Sequence, residues 1–155
     1  MTIYIDADSC PKKIRDIVAN ACIREEISAV FVANRKISVK NGGKISFFIV
    51  ENKENSADLF IERNVKAGDM VITRDIPLAA SLVEKGIVVL NDRGTVYSEM
   101  NVKERLSERN FMKELREFGI SDKKERIFGI KEIRAFSNVF DRELQLILKK
   151  GKIYR

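Results

Sequence analysis

Thr2-Ile3-Tyr4-Ile5-Asp6-Ala7-Asp8-Ser9-Cys10-Pro11 runs an apolar strand straight into two acids and a helix start. In open α/β sheets, ligands bind where the carboxyl end of a strand feeds a helix, so paired carboxylates there point to a hard cation. Helix capping competes for the same residues. Asp8 and Ser9 have the short oxygen-bearing side chains that satisfy free helix N–H groups ahead of Pro11, whereas Asp6 sits too early to cap.

Outward from this stretch, short β-rich runs alternate with amphipathic ones. Strands are expected at 2–6, 29–33, 46–50, 70–73 and 87–90, each rich in Val, Ile or Phe and bounded by polar residues or Gly. Near-continuous apolar runs of this kind suit a mostly parallel sheet covered on both faces. Helices are expected at 12–25, 56–66 and 76–85, where apolar residues recur at three- and four-residue steps, with Gly68 and Gly86 as stops. After Asn91-Asp92-Arg93-Gly94 the strand signals fade. Two further helices, 102–118 and 130–149, are expected around a charged connector at 119–128 that reads as a mobile loop. Asn41-Gly42-Gly43 reads as a hairpin or turn. The whole, 1–155, reads as a single α/β domain of three layers.

Composition narrows the chemistry. With no histidine, the chain has no His-based acid–base catalysis, no Ser/His or Cys/His nucleophile pair and no His-containing zinc site. Cys10 and Cys22 are too few for a thiolate cage and suit a reduced, cytoplasmic protein, with Cys10 a small packing residue. No apolar run approaches the roughly 20 residues that cross a bilayer. A formal charge of +6 favours polyanionic partners.

Carboxylates and oxygen-loving metals are left. Asp6 and Asp8 follow the first strand, Asp58 lies in the first turn of the helix after the third, and Asp75 follows the fourth. If the first strand is central, the ends of the first and fourth lie side by side and their acids converge, with Thr73 adding a hydroxyl. Acids gathered in this way repel one another unless Mg²⁺ or Mn²⁺ neutralises them. Capping competes here too, through Ser56 and the helix dipole at Asp58 and through Pro77 at Asp75, while Asp69 reads as a turn residue. Lys12, Asn34, Arg35, Arg74 and Arg93 stand at strand ends or helix starts, where they could hold phosphate. The phenylalanines, Phe48, Phe111 and Phe118 among them, are expected in the core.

The strings Ile5-Asp6-Ala7-Asp8-Ser9-Cys10-Pro11, Ala57-Asp58, Gly68-Asp69-Met70-Val71-Ile72-Thr73-Arg74-Asp75-Ile76-Pro77-Leu78-Ala79 and Arg93-Gly94, continuing through Asn101, Arg109 and Gly119, resemble the uncharacterised bacterial YaiI/YqxD family. That family is similar to PIN-like nuclease domains, whose sheet gathers acids around Mg²⁺ or Mn²⁺ to cut RNA. The resemblance implies a PIN-like fold, with Asp6, Asp58 and Asp75 as metal acids and Asp8 as an accessory. Two departures stand out: Asn55 where relatives carry an acid, and Ile120-Ser121-Asp122-Lys123-Lys124 where they carry a Thr-Gly-Gly-Pro-like stretch. The expectation is a metal-dependent nuclease or phosphodiesterase acting on RNA. A nucleic-acid-binding module without turnover and a small phosphate-ester hydrolase are the alternatives.

Overall fold

A computed structural model describes residues 1–120 and 127–153; most of the charged connector lies outside the described residues. Five strands, β1 (Thr2–Asp6), β2 (Ser28–Ala33), β3 (Ile45–Ile49), β4 (Met70–Ile72) and β5 (Val88–Leu90), form one sheet in the order β3-β2-β1-β4-β5. Every pairing is parallel. Five helices accompany them: α1 (Lys12–Arg24), α2 (Ser56–Asn64), α3 (Ile76–Glu84), α4 (Glu99–Glu117) and α5 (Ile130–Ile153). The three-layer α/β architecture is the expected one, and its sheet is wholly parallel.

Alternation along the strands sorts side chains into two cores. Ile3, Ile5, Ala29, Phe31, Met70 and Ile72 face one way, against Ile14, Val18 and Cys22 of α1 and Phe136, Phe140 and Leu144 of α5. Tyr4, Val32, Val71 and Val89 face the other way, against Ile61 of α2, Leu78 and Leu82 of α3 and Val102 of α4. The buried strands therefore read as unbroken apolar runs, because both of their faces are covered.

Several local expectations are corrected. Asn41-Gly42-Gly43 forms no hairpin, because β2 and β3 are parallel, but the turn half of that expectation holds at Gly43-Lys44; residues 34–44 are a crossover that tucks Ile37 and Val39 against the α1 side of the core. Helix α4 begins three residues early, at Glu99, because Ser98 and Asn101 close a reciprocal capping box. Neither Asp8 nor Ser9 caps α1; Pro11 occupies that position with no side-chain cap. Phe48, Phe111 and Phe118 are exposed. Phe48 stands on the edge strand, and α4 buries only Val102.

Gly94 ends the β5 turn at φ +84°, and a Cβ there would stand 2.7 Å from the Ala135 carbonyl oxygen of α5. Gly86, at φ +75°, would meet nothing within 4 Å. Gly86→Ala is expected to cost about 1 kcal/mol of unfolding free energy, from the left-handed backbone alone. Gly94→Ala adds a backbone clash and is expected to cost more than about 2 kcal/mol. Urea denaturation of the two variants side by side checks the difference.

Candidate functional site

The chain winds from β1 to β2 and β3 on one side, then returns to place β4 on the other side of β1. This reversal opens a crevice at the carboxyl ends of β1 and β4, the location where open α/β sheets bind ligands. Ile5 pairs with Ile72, so Asp6 and Thr73, one residue further along each strand, are neighbours. Thr73 Oγ1 donates to Asp6 Oδ2 at 3.1 Å and accepts the Asp75 N–H at 3.0 Å. Ser9, in the 3₁₀ turn Ala7–Ser9, donates to the same Asp6 oxygen at 3.1 Å. Two hydroxyls thus fix one oxygen of a carboxylate that is only 8% exposed.

Asp75 is the N-cap of α3, with Oδ1 accepting the Leu78 N–H at 2.8 Å, so the capping role holds. It does not consume the side chain, which also hydrogen-bonds the Asp58 carboxyl. Asp58 arrives from the first turn of α2. Its carboxyl is pushed up to about 7, first by burial, then by a hydrogen bond to Asp75 and the charge of that residue, and further by Asp6 and Glu62. Burial also raises Asp6, outweighing the opposing Ser9 and Thr73 bonds, with smaller upward contributions from the charges of Asp8 and Asp75. Asp6, Asp58 and Asp75, remote in sequence, act on one another here.

Asp8 faces elsewhere. Its Oδ2 accepts the Asn34 N–H at 2.6 Å, and Arg35 Nε stands 3.7 Å from Oδ1, a buried oxygen with no hydrogen bond. It ties the end of β1 to the end of β2. The Asn34 side chain donates to Asn52 at 3.1 Å. Arg74 lines the cleft but is held by Asp92, a 2% exposed acid that accepts its Nε at 2.9 Å. Lys12 pairs with Asp16 at 2.8 Å and lines a separate groove with Asn20 and Lys40. Arg93 turns to α5: its guanidinium lies over Phe128, donates to the Ile127 carbonyl at 3.3 Å and stands 3.8 Å from Glu132. Asp69 closes its turn on Lys66 N–H and also accepts the Thr2 N–H at 2.8 Å, which fastens the start of β1 to the loop before β4. Cys10 and Cys22 are core residues whose thiols burial pushes up to about 12.

The cleft, about 420 Å³, is lined by Asp6, Ser9, Arg74, Asp75, Ile76 and Arg109. Sequence reading gives Ser9 only a capping role, leaves Asp92 unassigned and attaches no role to Arg109. The Arg74–Asp92 and Asp6–Thr73 contacts are products of the sheet order, with no local signature, whereas Ser9 reaches Asp6 within the local 3₁₀ turn. Asn55, the departure ahead of Asp58, has a backbone reason: it is the residue before α2, at φ +65°, where Asn is better tolerated than most residues and makes no side-chain cap.

Among the described residues, no three acids are already closed around one point as a finished metal cage. The donor set nevertheless fits Mg²⁺ or Mn²⁺ chemically. It is all oxygen, the charge of Asp75 raises the proton affinity of both Asp6 and Asp58, and Mg²⁺ takes one or two carboxylates while keeping several waters. Asp6, Asp58 and Asp75 are the residues that could hold such an ion.

Comparison with known proteins agrees over almost the full length. A family profile described as "Uncharacterized BCR, YaiI/YqxD family" matches residues 4–146. A UPF0178 protein of Treponema denticola is 49% identical over 150 residues, covering 97% of this chain and 96% of that protein. UPF0178 proteins of Syntrophobacter fumaroxidans and Myxococcus xanthus are 44% and 43% identical, over 93% and 96% of this chain and 94% and 97% of theirs. No solved structure matches. The chain belongs to the YaiI/YqxD family.

Proposed function

We propose that the protein is a metal-dependent phosphodiesterase acting on nucleic acid, RNA first, with Asp6, Asp58 and Asp75 as its metal-holding acids. The observation that carries the reading is the meeting of these three acids from β1, α2 and α3 at the sheet's switch point. A PIN-like nuclease, which the sequence resembles, uses a site of this kind. The bound ion would supply Lewis-acid stabilisation of charge and a more acidic water. The chain's own residues do the rest. Ser9 and Thr73 hold Asp6 in one orientation, the α3 N-terminus fixes Asp75, and Arg74, pinned by Asp92, keeps a positive charge at the rim. With no histidine in the chain, proton transfer falls to water and to the carboxylates themselves.

Asp6→Asn and Asp75→Asn test this directly. Asn still caps α3, so Asp75→Asn removes charge while leaving the helix start intact. A fluorogenic RNA incubated with Mg²⁺ or Mn²⁺ is expected to be cut by the native protein. Each variant is expected to be slower by more than about 100-fold, since a divalent ion contributes several kcal/mol of charge stabilisation. Native protein that leaves RNA and DNA intact with either metal overturns the reading.

Electrostatics of the metal-free protein give a second test. The Asp58 carboxyl has a folded pKa of about 7 against 3.8 for a free side chain. Below the lower value both states hold the proton and nothing is lost. Between the two values the unfolded chain releases its proton and the folded one does not, so stability falls as pH rises, with the loss complete above the folded pKa. Asp58→Asn is expected to raise the Tm by a few degrees at pH 8 and to leave it near that of the native protein at pH 4. In thermal melts at pH 8, millimolar Mg²⁺ is expected to raise the Tm of the native protein more than that of Asp58→Asn.

A further inference from the structure

Helix α4 packs beside α3 with Val102 as its one fully buried residue, and Arg109, exposed near its middle, lines the acid cleft with Asp6 and Asp75. At about 100° per residue, Arg105, Arg109, Lys113 and Arg116 fall within an arc of about 80°. Glu108 and Glu114, the acids between them, lie outside that arc. The stripe sets a positive charge about every 6 Å over its first three members and runs about 16 Å along the axis. Arg105 anchors its near end, over the Tyr97 ring at 5.8 Å and donating to Thr95 Oγ1 at 3.3 Å. Arg109, Lys113 and Arg116 are exposed and enter no ion pair among the described residues.

Local energetics do not account for this pattern. Arg105–Arg109 and Arg109–Lys113 are like charges at i,i+4, each of which destabilises a helix by a few tenths of a kcal/mol where a Glu would stabilise it. The other guanidinium of the cleft, Arg74, is already committed to Asp92. The uncommitted cations that start at the acids and continue away from them therefore belong to α4.

We infer that the basic face of α4 is the track for a single-stranded nucleic acid, with Arg109 holding the phosphate nearest the acids and Lys113 and Arg116 holding phosphates further along the strand. The occupant is identified by charge complementarity: a line of separated cations leading out of the cleft matches a flexible chain of phosphates, whereas a small phosphate ester would engage Arg109 alone. This rests on the proposed function only for the chemistry in the cleft; binding along α4 requires no turnover.

Fluorescence anisotropy tests it, using labelled 12-nucleotide single-stranded RNA and DNA of one sequence, with EDTA present and over a range of salt. Lys113→Ala/Arg116→Ala is expected to bind both strands about 10-fold more weakly. It is also expected to reduce the slope of log K against log salt by about 1.4, from two lost single-strand phosphate contacts. The control Lys149→Ala/Lys150→Ala removes the same charge from the last turns of α5 and is expected to keep the native slope. Circular dichroism melts confirm that all variants fold. Equal loss in the control, an unchanged slope in the α4 pair, or tighter binding to anionic phospholipid vesicles than to either strand overturns the inference. Cleavage that survives with α4-independent binding sinks this inference and spares the nuclease reading; α4-dependent binding without cleavage does the reverse.

Discussion

The pairing of β1 with β4 is the constraint on which the site depends. It brings together two stretches nearly seventy positions apart and fixes them at both ends. Asp69 accepts the first strand N–H at one end, and Thr73 donates to Asp6 at the other. Between these, Ile3, Ile5, Met70 and Ile72 are almost completely excluded from water, so a slip by one residue would turn this row toward the opposite face and separate the hydroxyl from the carboxylate. Apolar burial thus sets a polar geometry that the polar groups alone, mutually repulsive as they are, would not adopt.

Each acid at the switch point is held by something other than its fellow acids. Asp6 has two hydroxyls, Asp75 the start of a helix, and Asp58 the first turn of another. The scaffold therefore supports an arrangement that is electrostatically costly in the absence of a cation, the pattern of a prepared functional site rather than of surface decoration. Asp8 and Asp92 have partners of their own, Asn34 with Arg35 and Arg74, although the charge of Asp8 still acts on Asp6.

What could be read from the residues, and what could not, divides on sequence distance. The five strands and the helices between them were legible because Ile3, Phe31, Val71 and Leu78 obey local periods that burial enforces. The convergence of Asp6 with Asp75 was legible once β1 was taken as central, since topology rules then leave few choices. The Arg74–Asp92 pair was not, because it joins the ends of β4 and β5 through side-chain reach alone. Asn41-Gly42-Gly43 misled for the complementary reason: the turn chemistry is local, but sheet order makes the neighbouring strands parallel. The start of α4 was missed because Asn101 stands where a capping box more often has Glu or Gln. The Lys12–Asp16 pair follows the local i,i+4 spacing and can be read directly from the residues.

The two thiols are buried on the α1 side of the sheet, and burial pushes both up to about 12, so near neutral pH each is in its neutral form. Alkylating reagents and peroxide react with thiolates, so the native molecule presents them with almost nothing. Reaction at Cys22, 1% exposed within α1, has to wait for that helix to lift from the sheet. Cys22 is in effect a built-in clock for the opening of that layer, readable by mass after timed exposure to reagent.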